Sequence, residues 1–262
     1  MEINPLAEKP RIERILTPEE IEYWKRVNDP KEKNLTEAII VRTDTELLDL
    51  MKTRGEKYFN RFTTEKKDFE IDAANRPVIL KLALYFLNDP RFCEMGENYS
   101  LDKGIILTSD KLGSGKTTLM KLFCRDKLWQ DDINFRSYPY KNLLACRQLV
   151  NDFREKGAGS LSRVNRMKPE SNIANTFVFD EVGREEIPAN HFGNKLNVMQ
   201  DVMANRYDLY CEHGIKTHIT TNIVSADDYK KLYGTFIASR MEEMFNEIEC
   251  DGPNRRKQKK AL

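Results

Sequence analysis

The stretch from Gly104 to Met120 constrains the fold more than any other part of this 262-residue chain. Ile105, Ile106 and Leu107 form the kind of apolar run that parallel strands carry when both sheet faces are covered. Gly113-Ser114-Gly115-Lys116-Thr117-Thr118 follows, and Leu119 and Met120 continue into an apolar helix. The two glycines let the backbone curl, so that successive N–H groups point inward as an anion nest. A helix starting near Lys116 aims its positive end at the same spot. From there Lys116 reaches the β- and γ-phosphates of a nucleotide, and the Thr117 hydroxyl ligates Mg2+. Strand, glycine loop and helix in that order predict an α/β fold whose parallel sheet is flanked by helices. One position departs from the pattern G-x-x-x-x-G-K-[ST]: Asp110 stands where the first glycine belongs. A carboxylate near the phosphates, on a backbone of positive φ, predicts weak nucleotide affinity. Lys111 is the neighbour that could pair with it.

Composition narrows the class of protein. Charged residues make up 32% and hydrophobic ones 40%, which suits a water-soluble globular chain. The formal net charge is +1, so no global field draws in nucleic acid, and any such site needs local basic patches. The five cysteines include no C-x-x-C pair, which argues against a disulfide framework or a zinc ribbon. No apolar run approaches membrane-spanning length, and Met1-Glu2-Ile3-Asn4-Pro5 does not open a signal peptide, so a cytoplasmic location with no membrane partner is expected.

Along the chain, residues 1–68 read as a small, highly charged helical module. Thr17-Pro18-Glu19-Glu20 is a helix start with a capping box. A second helix beginning near Asp44 carries Leu47, Leu48, Met51, Tyr58, Phe59 and Phe62 on one face, toward a local core or a docking partner. Pro77 opens a helix to about Leu87. Phe135–Tyr138 reads as a strand, and Tyr140 to about Arg154 as a helix with Leu143, Leu144 and Leu149 inward. Thr176–Glu181 is a strand ending in Asp180 and Glu181, at the sheet edge where ligands sit in open α/β sheets. Asp180 fits a Mg2+-holding carboxylate and Glu181 the base that polarises an attacking water. Asn194 to about Tyr210 is an amphipathic helix. Thr217–Thr221 is a short strand ending at Asn222, a polar residue aimed at the same edge. Two short helices flank Gly234, and Ile248-Glu249 adds a last strand. His191 and His213 lack partners at metal-ligand spacing, and His218 reads as a core or edge histidine with no ligand role.

These motifs, in the order G-x-G-K-T-T, F-V-F-D-E, T-H-I-T-T-N, Y-G-T-F-I-A-S-R-M-E-E-M-F and G-P-N-R-R, resemble the AAA+ ATPases of the DnaC/DnaI helicase-loader and IstB transposition-ATPase group. His191–Asn194 and Asn205–Tyr207 resemble loader-type proteins of Bacteroides-like bacteria, phages and mobile elements. The likeness runs from about Phe69 to Arg256, which implies an AAA+ P-loop domain over residues 69–256 and a basic tail over 257–262.

The resemblance implies a role for each matching residue. Gly113 to Thr118 would cradle the phosphates of ATP, with Lys116 and Thr117 as the Walker A pair. Asp180 and Glu181 would be the Walker B pair, with Thr117 and Asp180 holding Mg2+. Asn222 would be sensor 1. Arg240 would be an arginine finger reaching a neighbouring subunit's nucleotide, with Arg206 a second candidate. Arg255 or Arg256 would be the sensor 2-like arginine. The implied function is an ATPase accessory to DNA replication: a loader gripping a replicative helicase through residues 1–68, forming a homo-oligomer with ATP and holding single-stranded DNA. Lys141, Arg147 and the loop from Arg163 to Lys168 are the candidate DNA contacts. The alternatives are a transposition ATPase that positions a transposase on duplex DNA, and a nucleotide-binding scaffold that does not hydrolyse.

Overall fold

The computed structural model describes residues 13–14, 39–40, 42–63, 68–124, 140–166 and 176–255. The expected helix at Thr17, the strand at Phe135–Tyr138, Lys168, Arg256 and the tail lie outside them. Five parallel strands form the central sheet: β3 (Gly104–Thr108), β4 (Tyr140–Ala145), β5 (Thr176–Val182), β8 (Thr217–Thr221) and β9 (Phe245–Glu249). Their spatial order is β4-β5-β8-β3-β9. The strand ahead of the glycine loop is thus interior, one in from the β9 edge, and β8 separates it from the strand that carries Asp180. The pair β1 (Glu13–Arg14) and β2 (Ile39–Ile40) is a separate antiparallel ladder. A hairpin of β6 (Ala189–His191) and β7 (Asn194–Leu196) follows β5.

Side chains alternate across a strand, so each sheet face builds its own core. Ile105 and Leu107 point to one face, together with Val178 and Ile248. Helices α1 (Asp44–Asn60), α2 (Arg76–Phe86) and α3 (Lys116–Lys121) cover that face. Ile106, Phe177, Phe179 and Ile219 point to the other. There α4 (Cys146–Lys156), the short α5 (Ser162–Asn165), α6 (Val198–His213) and α7 (Ala226–Met244) pack.

The apolar stripe of α1 lies in the core of the sheet. Thr43 caps the helix through a reciprocal capping box with Glu46. Leu47, Leu48 and Met51 are buried in the cluster that holds β3, and Tyr58 and Phe59 pack against it. Phe62 alone of the expected stripe is open to solvent, at 90% exposure. Gly55 fits its position by size: a Cβ there would lie 2.0 Å from the Phe69 ring. Arg54 is buried and donates from Nε to the Leu122 carbonyl at 3.0 Å. That carbonyl ends α3, so a cation sits where the helix dipole is negative.

Several boundaries differ from the sequence reading, and Arg163, expected in a loop, lies in α5 and pairs with Asp152. Tyr140–Ala145 is a strand, and the helix starts at Cys146. A short run such as Leu143-Leu144 has no period that separates helix from strand. Pairing decides it, with Leu143 opposite Val178 and Leu144 opposite Phe179. Likewise Asn194–Leu196 belongs to the hairpin, and α6 begins only after Asn197, whose side chain accepts from the Gln200 N–H. The two short helices flanking Gly234 are the two halves of α7, broken where Gly234 takes φ +83°.

His218, which the sequence leaves open as a core or an edge residue, lies in the core. Its Nδ1 accepts from the Ile105 N–H at 3.0 Å, and burial drives its pKa down from 6.5 to about 3. The unfolded chain therefore binds a proton that the native state refuses. Stability from the neutral ring is full above pH 6.5 and is lost as pH falls toward 3, at up to about 1.4 kcal/mol per pH unit. In acid-range denaturant titrations, the stability of His218→Gln is expected to fall less steeply with pH than that of the native chain. Identical slopes would show that His218 does not couple folding to protons.

Candidate functional site

The loop after β3 folds as the glycines require. Gly113 and Gly115 have φ of +80° and +103°, and a Cβ on Gly113 would lie 2.3 Å from Asn254 Oδ1. Neither position accepts a side chain without strain. Ser109 pins the loop's entry by accepting from the Lys111 N–H at 3.1 Å. The Arg255 N–H donates to the Gly113 carbonyl at 3.0 Å, so the C-terminal segment lies over the loop. Lys116 opens α3 and is nearly buried, its ammonium 3.5 Å from Ser114 Oγ. Burial pulls its pKa below the usual lysine range, partly offset by Cys250 and Asp180. A desolvated ammonium beside a ring of N–H groups favours an anionic ligand.

Asp180 ties three elements together. It is 7% exposed, and its Oδ1 accepts from Thr117 Oγ1 at 2.8 Å and from Thr220 Oγ1 at 2.6 Å. The Thr220 oxygen in turn accepts from the Glu181 N–H at 3.0 Å. The β5–β8 register shifts between Phe179 and Val182, and Glu181 takes φ +60°. A non-glycine residue in that region costs of order 1–3 kcal/mol, and bulges of this kind re-aim side chains beside sites. The Glu181 carboxylate pairs with Arg184 at 3.0 Å. Sequence reasoning missed Thr220 and Arg184. A second hydroxyl one strand away has no sequence signature, but an arginine three residues after a carboxylate does.

One cavity of about 590 Å3 joins Lys116, Thr117, Thr220, Glu181 and Arg184, and Asp180 is hydrogen-bonded to two of these lining residues. The whole loop from Gly113 to Thr118, with Glu181, Asn222 and Arg255, lines one part, and Phe59, Phe69 and Asn75 line another. Its size is that of a small-molecule site. The nest, Lys116 and the enclosed volume suit a nucleotide triphosphate. Thr117 and Asp180 suit Mg2+ bound together with phosphate oxygens and water; among the described residues no group of three or more His, Cys, Asp or Glu is placed to hold a metal ion by itself. Asn222 donates from Nδ2 to the Ser109 carbonyl at 2.8 Å, so β8 is laced to the loop. Arg255 forms an ion pair with Asp72 at 2.9 Å. Burial pushes the Asp72 carboxyl up, but the Asn75 N–H and Arg255 outweigh it and leave the pKa low.

The remaining arginines differ. Arg240 does not line the cavity. Its guanidinium lies between the Phe236 ring, 3.1 Å from the centroid, and the Tyr207 ring, at 4.0 Å. Its Nη1 is buried without a hydrogen-bond partner among the described residues. Arg206 is fully buried and donates to Thr217 Oγ1, the Val164 carbonyl and the Lys216 carbonyl. Burial lowers its pKa to about 9. A guanidinium so enclosed holds its own core together and cannot reach another subunit, which removes it as an intersubunit candidate.

Asp110 also departs from expectation. It is exposed, its φ is not positive, and Lys111 forms its ion pair with Asp251. No backbone strain therefore attaches to the missing glycine, and only its charge acts on a bound polyphosphate. Asp110→Asn and Asp110→Gly are thus expected to bind ATP with equal affinity in a calorimetric titration. A further gain for the glycine variant would restore the strain account.

No protein-family model and no curated protein matches the chain. Among solved structures, the crystal structure of the DnaC helicase loader aligns with a TM-score of 0.43 and 16% identity, over 69% of this chain and 92% of that one. Among the described residues no helix is long and apolar enough to cross a membrane.

Proposed function

We propose that this chain is an ATP-dependent accessory of DNA replication: a cytoplasmic P-loop ATPase that loads a replicative helicase, oligomerises with ATP and binds single-stranded DNA. The observation that carries the ATPase part is the convergence of Lys116, Thr117 and Glu181 on one cavity, with Asp180 hydrogen-bonded to Thr117 and Thr220 of its wall. The motif order from the glycine loop to Gly252-Pro253 supports the replication part. In this reading the loop N–H groups and Lys116 bind the phosphates. Thr117 and Asp180 hold Mg2+, which neutralises phosphate charge when bound. Glu181 orients the attacking water and takes its proton. Asn222 holds the loop edge beside that water, and Arg255 closes the cavity. Arg240, stacked outside the cavity, serves a neighbouring subunit's nucleotide. Residues 1–68 engage the helicase, and Phe59 of α1 ties that segment to the nucleotide wall. Lys141, Arg147, Arg163 of α5 and the residues on to Lys168 contact DNA phosphates.

The tie between Glu181 and Arg184 favours a second reading, a scaffold that binds nucleotide without turnover, because the base is held elsewhere. Turnover separates the two. Lys116→Ala is expected to abolish ATP binding, whereas Glu181→Gln binds ATP and stalls. A normal rate for Glu181→Gln would remove Glu181 as the base. Binding without hydrolysis by the native chain, even with DNA present, would favour the scaffold.

A further inference from the structure

The β6–β7 hairpin ends in an aromatic residue that the proposed ATPase chemistry does not use. His191 pairs with Asn194, which leaves Phe192-Gly193 as a two-residue loop with φ of +46° and +89°. Loops with two positive φ values favour Asn-Gly or Asp-Gly. A bulky side chain at positive φ is an outlier. Phe192 is also 93% exposed, so it gains no packing in return. A residue that breaks a local rule without a folding benefit is a sign of function.

The tip is firmly rooted. The Gly193 N–H donates to Asn190 Oδ1 at 3.0 Å, and Ala189 is buried. His191 Nδ1 donates to the Arg154 carbonyl at 2.8 Å, near the end of α4. The His191 ring braces Phe192 edge-on, centroids 4.8 Å apart, with buried Phe153 5.9 Å behind it. Asn190 to Lys195 contains amides, an imidazole and an ammonium but no carboxylate. Lys195 and Lys156 are exposed and without an ion-pair partner among the described residues. Gly157, next to Lys156, packs on His191, so Lys156 flanks the hairpin root. Glu155 is the opposing charge, whereas Glu186 is already paired with Arg154.

We propose that Phe192 is a stacking finger for a base of single-stranded nucleic acid, with Lys156 and Lys195 on the neighbouring phosphates. A presented ring flanked by unpaired cations is the combination that single-strand binders use. Duplex bases have their faces covered, so the ring requires an unpaired strand. An apolar protein pocket would take the ring but would leave the two ammonium groups and the amide rim unmatched. The inference rests on the DNA-binding part of the proposed function and assigns it a residue.

The test is fluorescence anisotropy of a labelled single-stranded thymidine oligonucleotide with the full chain, ATP and Mg2+. Phe192→Asn gives the turn its preferred residue, so folding is kept, and affinity is expected to fall about tenfold. Phe192→Trp retains native affinity. Lys156→Ala and Lys195→Ala each weaken binding and flatten its salt dependence. A duplex competes poorly. Equal affinities for Phe192→Asn and the native chain overturn the finger while leaving DNA binding intact, and no binding by the native chain overturns both. Unchanged DNA affinity in Phe192→Asn with loss of helicase capture overturns it in favour of a protein pocket.

Discussion

The Asp180 carboxylate is the interaction on which the site depends. It sits almost out of water at the end of β5 and accepts two hydroxyl hydrogen bonds, one from α3 and one from β8. A buried carboxylate is tolerated only where donors surround it, and charge-assisted bonds are about twice as strong as neutral ones. The same contacts fix the distance between the glycine loop and the strand that carries Glu181. Thr220 then receives the Glu181 N–H, which holds the bulge that turns Glu181 toward the cavity. Three sequence-distant segments thus meet at one oxygen, and the parallel sheet exists in the order that makes this possible.

Much of this was legible in the sequence because the residue types have few other uses in that arrangement. Gly113, Gly115 and Lys116 announce an anion nest, and an apolar strand ending in two acids announces the opposite wall. What stayed hidden depends on pairing across space. The strand nature of Leu143-Leu144 is set by β5, and the role of Thr220 by Asp180. The stripe on α1 was readable as apolar, but a helical period does not say what it covers. Its cover is the P-loop face of the sheet, with Arg54 on the end of α3 and Gly55 flush against Phe69.

Three arginines that sequence motifs treat alike have separate fates, decided by desolvation and geometry. Arg206 spends its donors inside the core, Arg255 bridges to Asp72 at the cavity rim, and Arg240 is sandwiched between two rings away from it. Stacking between rings limits the rotamers of the planar guanidinium, and an ammonium in the same place would lack that geometry. The Glu181–Arg184 pair is half exposed and therefore weak. It is a contact that a ligand or partner displaces at little cost.

The central claim is that Asp180, oriented by two threonine hydroxyls, makes this cavity a Mg2+–nucleotide site. The direct measurement is the ATP dissociation constant with Mg2+ and with EDTA, in the native chain and in Thr220→Val. Valine keeps the volume of threonine and removes the donor to Asp180 together with the acceptor of the Glu181 N–H. The account predicts that Mg2+ tightens ATP binding to the native chain by about tenfold, worth about 1.4 kcal/mol, and that the variant loses most of that gain. Equal affinities with and without Mg2+ in the native chain would contradict it.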